Sequence, residues 1–333
     1  MLRCTLAVLF LLTPIAATRA EAPRETISVH SRQITEFKVG SEATTFGALE
    51  FVGGIEMTSA NRLFGALSAI RFRPGGNSFV AVMDTGHWIE GAVIRDEAGR
   101  LAGLTDLIAT SMTDANGVAQ HEKWKVDSEG LALRQGEVIV SFEQSPRVDI
   151  YPDPGFSSSP PIGQLSLPFP ATELRKNGGL EMLAIAPKDG PLAGAAIVVS
   201  ERSVDEEDNL LAGILEGPMR GTFTVVRNDP YAVTDGAFLP SGDLLLLERR
   251  FNLASGLGMR IRRIPAAEIR PGAVVDGEVL LEADMGYQID NMEGLDVVTT
   301  PGGETRLILV SDDNHSILER NLMLEFRLGA YSN

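Results

Sequence analysis

The chain has 333 residues, 44% hydrophobic and 22% charged, with a formal net charge of −16. There is enough apolar sequence for a full core, and the acidity excludes a nucleic-acid binder, which needs a basic surface to meet phosphates. With 34 Gly, 18 Pro and short apolar runs bounded by turn residues, the pattern predicts an all-β chain rich in turns rather than a helical one.

In chain order, the first segment reads as a signal peptide, residues 1–20. Arg3 precedes the apolar run LAVLFLLTPIAA, and TRA offers a small-residue cleavage site after Ala20. The run is short for a membrane span. Cleavage would remove Cys4, the only cysteine, together with Arg3 and Arg19, and leave a charge of −18. The expectation is a periplasmic or secreted protein without thiol or disulfide chemistry and without membrane attachment after cleavage. Residues 21–44 read as an N-terminal extension and 45–333 as one domain.

Within that domain a hairpin phrase returns five times. It begins as FGALSAIRFRPGGNSFVAVMDTG at Phe64, DSEGLALRQGEVIVSFEQS at Asp127 and NGGLEMLAIAPKDGPLAGAAIVVSER at Asn177. VTDGAFLPSGDLLLLERR at Val233 and DNMEGLDVVTTPGGETRLILVSDDN at Asp290 complete the set. Aligned starts at Ser68, Glu129, Glu181, Asp235 and Glu293 lie 61, 52, 54 and 58 residues apart. That spacing suits the four-stranded antiparallel blades of a β-propeller. Segments such as HWIEGAVIRD and RLAGLTDLIA supply the outer strands. The last repeat lacks a fourth strand, and ALEFVGGIEMT, residues 48–58, would close the ring there and remove the exposed edges. Five blades are expected, with six as the alternative.

In an antiparallel hairpin the start of one strand lies beside the end of the next. The aligned acids therefore meet on one face of the disc. Glu129, Glu181, Asp235 and Glu293 are expected to ring the channel mouth. Asp84, Glu143, Glu201, Glu248 and Asp312 form a second ring outside, with Asp127 and Asn291 close by. So many carboxylates favour a bound cation or raised pKa values. All-oxygen ligation suits Ca²⁺, and Mg²⁺ less readily; His30, His87, His121 and His315 show no zinc spacing. The expected metal ligands are Glu129, Glu181, Asp235, Glu293, Asp84 and Asp312. Arg147, Arg202 and Arg249 lie just past the second strands and suit an anionic substrate. Glu143, Glu201 and His87 are the candidates for acid/base chemistry. The competing reading of the same residues is structural: turn acids, neutralised by Arg.

These phrases resemble a known family, the phytase-like domain described as "esterase-like activity of phytase". The matching stretches are FGALSAIRF with AVMDTG, DSEGLAL, NGGLEMLAI with IVVSER, and DNMEGLDV with LVSDDN, spanning about residues 45–328. The first repeat departs from the pattern, with Ser68 where the others carry an acid. The resemblance implies a β-propeller and an ester or phosphoester hydrolase. The expected function is a Ca²⁺-type hydrolase acting on a small anionic or ester substrate; a non-catalytic propeller binding module and a sugar lactonase are the alternatives.

Overall fold

The structure is a computed structural model that describes residues 23–120, 122–252 and 256–329; the expected signal peptide, with Cys4, and His121 lie outside the described residues. Four strands open the chain: β1 (Arg24–Ile27), β2 (His30–Ile34), β3 (Thr45–Phe46) and β4 (Leu49–Thr58). Blade one contains β5 (Leu67–Phe72), β6 (Ser78–Met83), β7 (His87–Arg95) and β8 (Leu101–Ser111). One helical turn, α1 (Lys123–Val126), leads into blade two, with β9 (Ser128–Arg134), β10 (Glu137–Phe142), β11 (Arg147–Pro152) and β12 (Gly163–Leu165). Blade three has β13 (Leu180–Ile185), β14 (Ala196–Val204), β15 (Leu210–Ile214) and β16 (Gly221–Val225). Blade four has β17 (Ala232–Phe238), β18 (Leu244–Asn252) and β19 (Gly256–Ile264). Next come β20 (Val274–Val275), which adds in parallel to the edge of blade three, and β21 (Glu278–Asp284), the outer strand of blade four. Blade five takes β22 (Met292–Thr299), β23 (Thr305–Ser311) and β24 (Asn321–Leu328) from the C-terminal end.

Among the described residues the sheets number five, not six. Their first strands, β5, β9, β13, β17 and β22, lie beside one another around the axis. Closure is as expected from 48–58: β4 pairs antiparallel with β24 as the fourth strand of blade five. The extension does more than precede the domain. β2 pairs with β4 on blade five and β1 with β8 on blade one, so residues 24–34 bridge the first and last blades and cap both outer edges.

Side-chain alternation explains why the middle strands are apolar without interruption. Each blade is buried on both faces. Leu244 and Leu246 pack with Val199 and Ile197 of blade three, whereas Leu245 and Leu247 pack with Leu307 and Leu309 of blade five. Val80 and Val82 face blade two while Ala81 and Met83 face blade five. The core is thus five wedge-shaped clusters, one between each pair of neighbouring blades.

Candidate functional site at the acidic mouth

The geometry of the mouth comes from a bulge repeated in every inner hairpin. Pairing runs Leu67↔Met83 then Ala69↔Val82, Leu180↔Ser200 then Met182↔Val199, and Met292↔Ser311 then Gly294↔Val310. One extra residue is left over each time: Ser68, Glu181 and Glu293. In blade two the irregularity falls at Glu129–Gly130 opposite Ser141. A bulge re-aims the side chain of its extra residue, which is how three glutamates reach the same opening. The close approach of inner strands explains the glycine that follows two of them. A Cβ on Gly130 would sit 2.5 Å from Ser141 Oγ and 2.8 Å from Glu181 O of the neighbouring inner strand, and one on Gly294 would sit 2.6 Å from Val310 Cγ2 and 3.4 Å from Ile70 N of the inner strand β5.

Blade four corrects the expected alignment by one residue. Its pairing is Val233↔Glu248 then Asp235↔Leu247, so Thr234 is the extra residue. Asp235 is fully buried below the mouth, where Arg71 Nη1 and Nη2 donate to its two oxygens at 2.8 and 2.7 Å. It also accepts from Leu295 N at 2.8 Å, which leaves it fully engaged as a structural group and removes it from the ring of expected metal ligands. Glu248 turns away as well, to Arg260 and Arg262 of β19. The position corresponding to Asp84, Glu143, Glu201 and Asp312 is held by Arg249, opposite Ala232. The outer ring is therefore four acids and one guanidinium.

Arg71 also closes the axis. From blade one it donates to the carbonyls of Leu183, Gly236 and Leu295 in blades three, four and five, at 2.9, 3.0 and 2.8 Å. The Arg71–Asp235 pair forms the floor beneath the ring acids.

Above that floor the carboxylates meet. Oxygens of Asp127, Glu129 and Glu143 lie within 4.8 Å of one another, as do oxygens of Glu143, Glu181 and Glu201, with Glu143 common to both groups. Glu143 accepts from Gly178 N and Gly179 N at 2.5 and 3.3 Å. Burial, then the neighbouring acids, holds Glu129 and Glu181 well above the usual carboxylate range. Burial also pushes Glu293 up to about 7 against the pull of Arg249, 3.3 Å away. Asp312 is raised to about 6, again by burial first. Asp127 and Glu201, 2% and 8% exposed, each keep one oxygen (Oδ1 and Oε1) with no hydrogen-bond partner. Buried, crowded, acceptor-only oxygens of this kind fit a hard cation.

The other expected site residues divide. Asp84 sits at the rim, bonded to Lys123. Arg249 lies between Glu293 and Glu201, at 3.3 and 3.8 Å. Arg202 is exposed, 3.2 Å from Glu201. Arg147 is engaged elsewhere: it donates to Asp149, Ser145 O and Lys125 O and stacks 3.7 Å from the Phe142 ring centroid. Among the described residues it makes no ion pair with the ring acids, contrary to its expected role on the substrate. His87 opens β7, two strands out from the axis, with Nδ1 3.1 Å from Thr85 Oγ1. Sequence reading missed Lys123, which sits in a connection outside the repeat. It also missed Arg71, whose signal was a lone charge inside the apolar inner strand LSAIRF.

Fold and site together define a five-bladed β-propeller with an acidic, closed-floored mouth. The profile of the phytase-like family, described as "Esterase-like activity of phytase", matches residues 62–315, and the chain belongs to that family. No curated protein matches the chain. Similar solved structures include an endo-arabinase from Bacteroides thetaiotaomicron, at 10% identity and TM-score 0.46, covering 81% of this chain and 94% of that one. A PQQ-bound aldose sugar dehydrogenase from Streptomyces coelicolor is similar at 12% identity and TM-score 0.38, covering 90% and 98%. Kuenenia stuttgartiensis hydrazine synthase is similar at 13% identity and TM-score 0.38, covering 83% of this chain and 60% of that one.

Proposed function

We propose that the acidic mouth holds a divalent cation of the Ca²⁺ type and that the protein hydrolyses a phosphate or carboxylic ester there. The observation that carries this reading is the pair of overlapping carboxylate groups centred on Glu143. Glu143, Glu181 and Glu201, with Glu129 beside them, would hold the ion, which when bound polarises an ester oxygen and offsets the mutual repulsion of its ligands. Arg202, with a side chain 57% exposed, and Arg249 hold the anionic portion of the substrate. Glu293 is the acid/base group. Its carboxyl is pushed up to about 7, so both protonation states are populated near neutral pH, as proton transfer requires. This reassigns Glu293 from ligand to proton carrier and makes Glu143 a ligand rather than a base, because it is shared by both groups and fixed by two backbone amides. We further propose export, with residues 1–20 removed. N-terminal sequencing of the protein recovered from a periplasmic fraction tests that step.

The functional test is turnover of aryl phosphates, aryl carboxylic esters and lactones by metal-loaded and chelator-treated protein. Metal-dependent release from one of these classes is expected. Bound metal without turnover of any class rejects the hydrolase and leaves a cation-dependent binding module.

A further inference from the structure

The two carboxylate groups share Glu143, so they outline two adjoining cation positions rather than one. The Glu181 end is bounded by Glu201 and Arg249. The Asp127 end is different, because a positive charge of the protein's own already stands in it. Lys123 Nζ bonds Asp84 Oδ2 and lies 3.4 Å from Asp127 Oδ1. It reaches there from α1, in the connection between blades one and two.

An ammonium is a compact single charge with three donors, whereas a divalent ion of the Ca²⁺ type gathers six to eight oxygens. The end held by Lys123 carries the marks of that mismatch. Asp127 is 2% exposed, with Gln144 Nε2 donating to its Oδ2 at 2.6 Å, yet its Oδ1 has no hydrogen-bond partner. The buried Oδ1 of Asp84 has none either. Lys123 therefore makes one hydrogen bond here, to Asp84 Oδ2, and leaves two buried carboxylate oxygens, Asp84 Oδ1 and Asp127 Oδ1, without one, although Asp127 Oδ1 lies 3.4 Å from its ammonium.

We propose that Lys123 is a resident cation. Its ammonium fills the Asp84–Asp127 position and confines the divalent ion to the Glu143–Glu181 position. The inference rests on the metal-binding reading above and adds the count of ions and the residue that sets it. Lys123 has a side chain 54% exposed and lies outside the blades, so replacing it leaves the blade cores alone.

The test is the number of Ca²⁺ ions bound per chain, by elemental analysis and by calorimetric titration of the full protein with calcium chloride. The wild type is expected to bind one ion and Lys123→Met two. Lys123→Arg, which keeps the charge, should bind one, and the Lys123→Met/Asp84→Asn double variant should return to one. Circular dichroism of the same samples confirms folding, with Lys123→Gln as the alternative neutral variant. Equal stoichiometry and affinity in wild type and Lys123→Met would overturn the inference while leaving the hydrolase reading intact. A wild type that binds two ions also overturns it. A wild type that binds none while Lys123→Met binds one supports Lys123 as the resident cation and removes the native metal site. No binding by either protein removes both.

Discussion

Replacing Arg71 by Met should be the most costly single change at the axis. The substitution keeps length and apolar bulk but removes the charge, so it isolates one question: what the buried guanidinium contributes. Asp235 is 0% exposed and would lose both of its Arg71 bonds. Removing one partner of a buried ion pair costs about 3–5 kcal/mol. The carbonyls of Leu183, Gly236 and Leu295 also lose a donor, at about 1 kcal/mol or more for each that stays dry. The expected loss is about 5 kcal/mol, a third or more of the roughly 5–15 kcal/mol that folded domains have. Urea unfolding at pH 7.5 measures it, alongside Asp235→Leu and the double variant. The double variant should be much less destabilised than the sum of the singles, because it leaves no unpaired charge. Acid should also narrow the gap between Arg71→Met and wild type. Burial already pushes the Asp235 carboxyl up against the pull of Arg71, and without Arg71 it takes up a proton more readily. A loss below about 1 kcal/mol, or additive single effects, would refute the account of the axial floor.

Glu181→Gln and Glu143→Gln should each weaken Ca²⁺ binding at least about tenfold by calorimetry; unchanged affinity in both removes these residues as ligands. Metal-free protein should lose stability as pH rises. Glu293 and Asp312 move from 4.5 and 3.8 to about 7 and about 6 on folding, so the folded state carries more protons within that window and the stability they add is lost through it. At 1.36 kcal/mol per unit, Glu293 alone accounts for about 3 kcal/mol. Urea titrations in chelator from pH 4 to 8 should show the decline and saturating Ca²⁺ should reduce it; stability rising with pH in chelator would contradict the assignment. Arg249→Met should raise KM for anionic esters while affecting neutral aryl esters less, and equal effects on both would remove its contact with substrate charge. Gly130→Ala should cost about 1–3 kcal/mol in thermal or urea unfolding, because the new methyl group meets Ser141 and the Glu181 carbonyl.

The ring of blades was legible because burial on both faces writes long apolar runs, such as LLLL at 244–247, between regularly spaced turns. The missing strand of the last repeat was legible for the same reason: a sheet edge must be covered, and Leu49–Thr58 was the apolar segment left over. Hairpin geometry alone puts Glu129, Glu181 and Glu293 at one end of the disc; turning them into the opening takes the bulge at each. The offset in blade four did not. A bulge is a matter of which residue goes unpaired, and Thr234 and Asp235 are equally plausible occupants until the opposite strand is placed. That one-residue shift sends Asp235 into the axis and brings Arg249 into the ring. Lys123 was illegible for another reason. It belongs to an irregular connection, and its meeting with Asp84, 39 residues away, depends on how that connection crosses the face.

The guanidinium seated across the axis turns a would-be tunnel into a cul-de-sac. Under the proposed ester hydrolysis, both products would leave by the face on which the ester entered, before another molecule is admitted. An acidic fragment held by Arg249 would then block the next arrival, so slow escape, rather than bond breaking, is the natural brake on such a site.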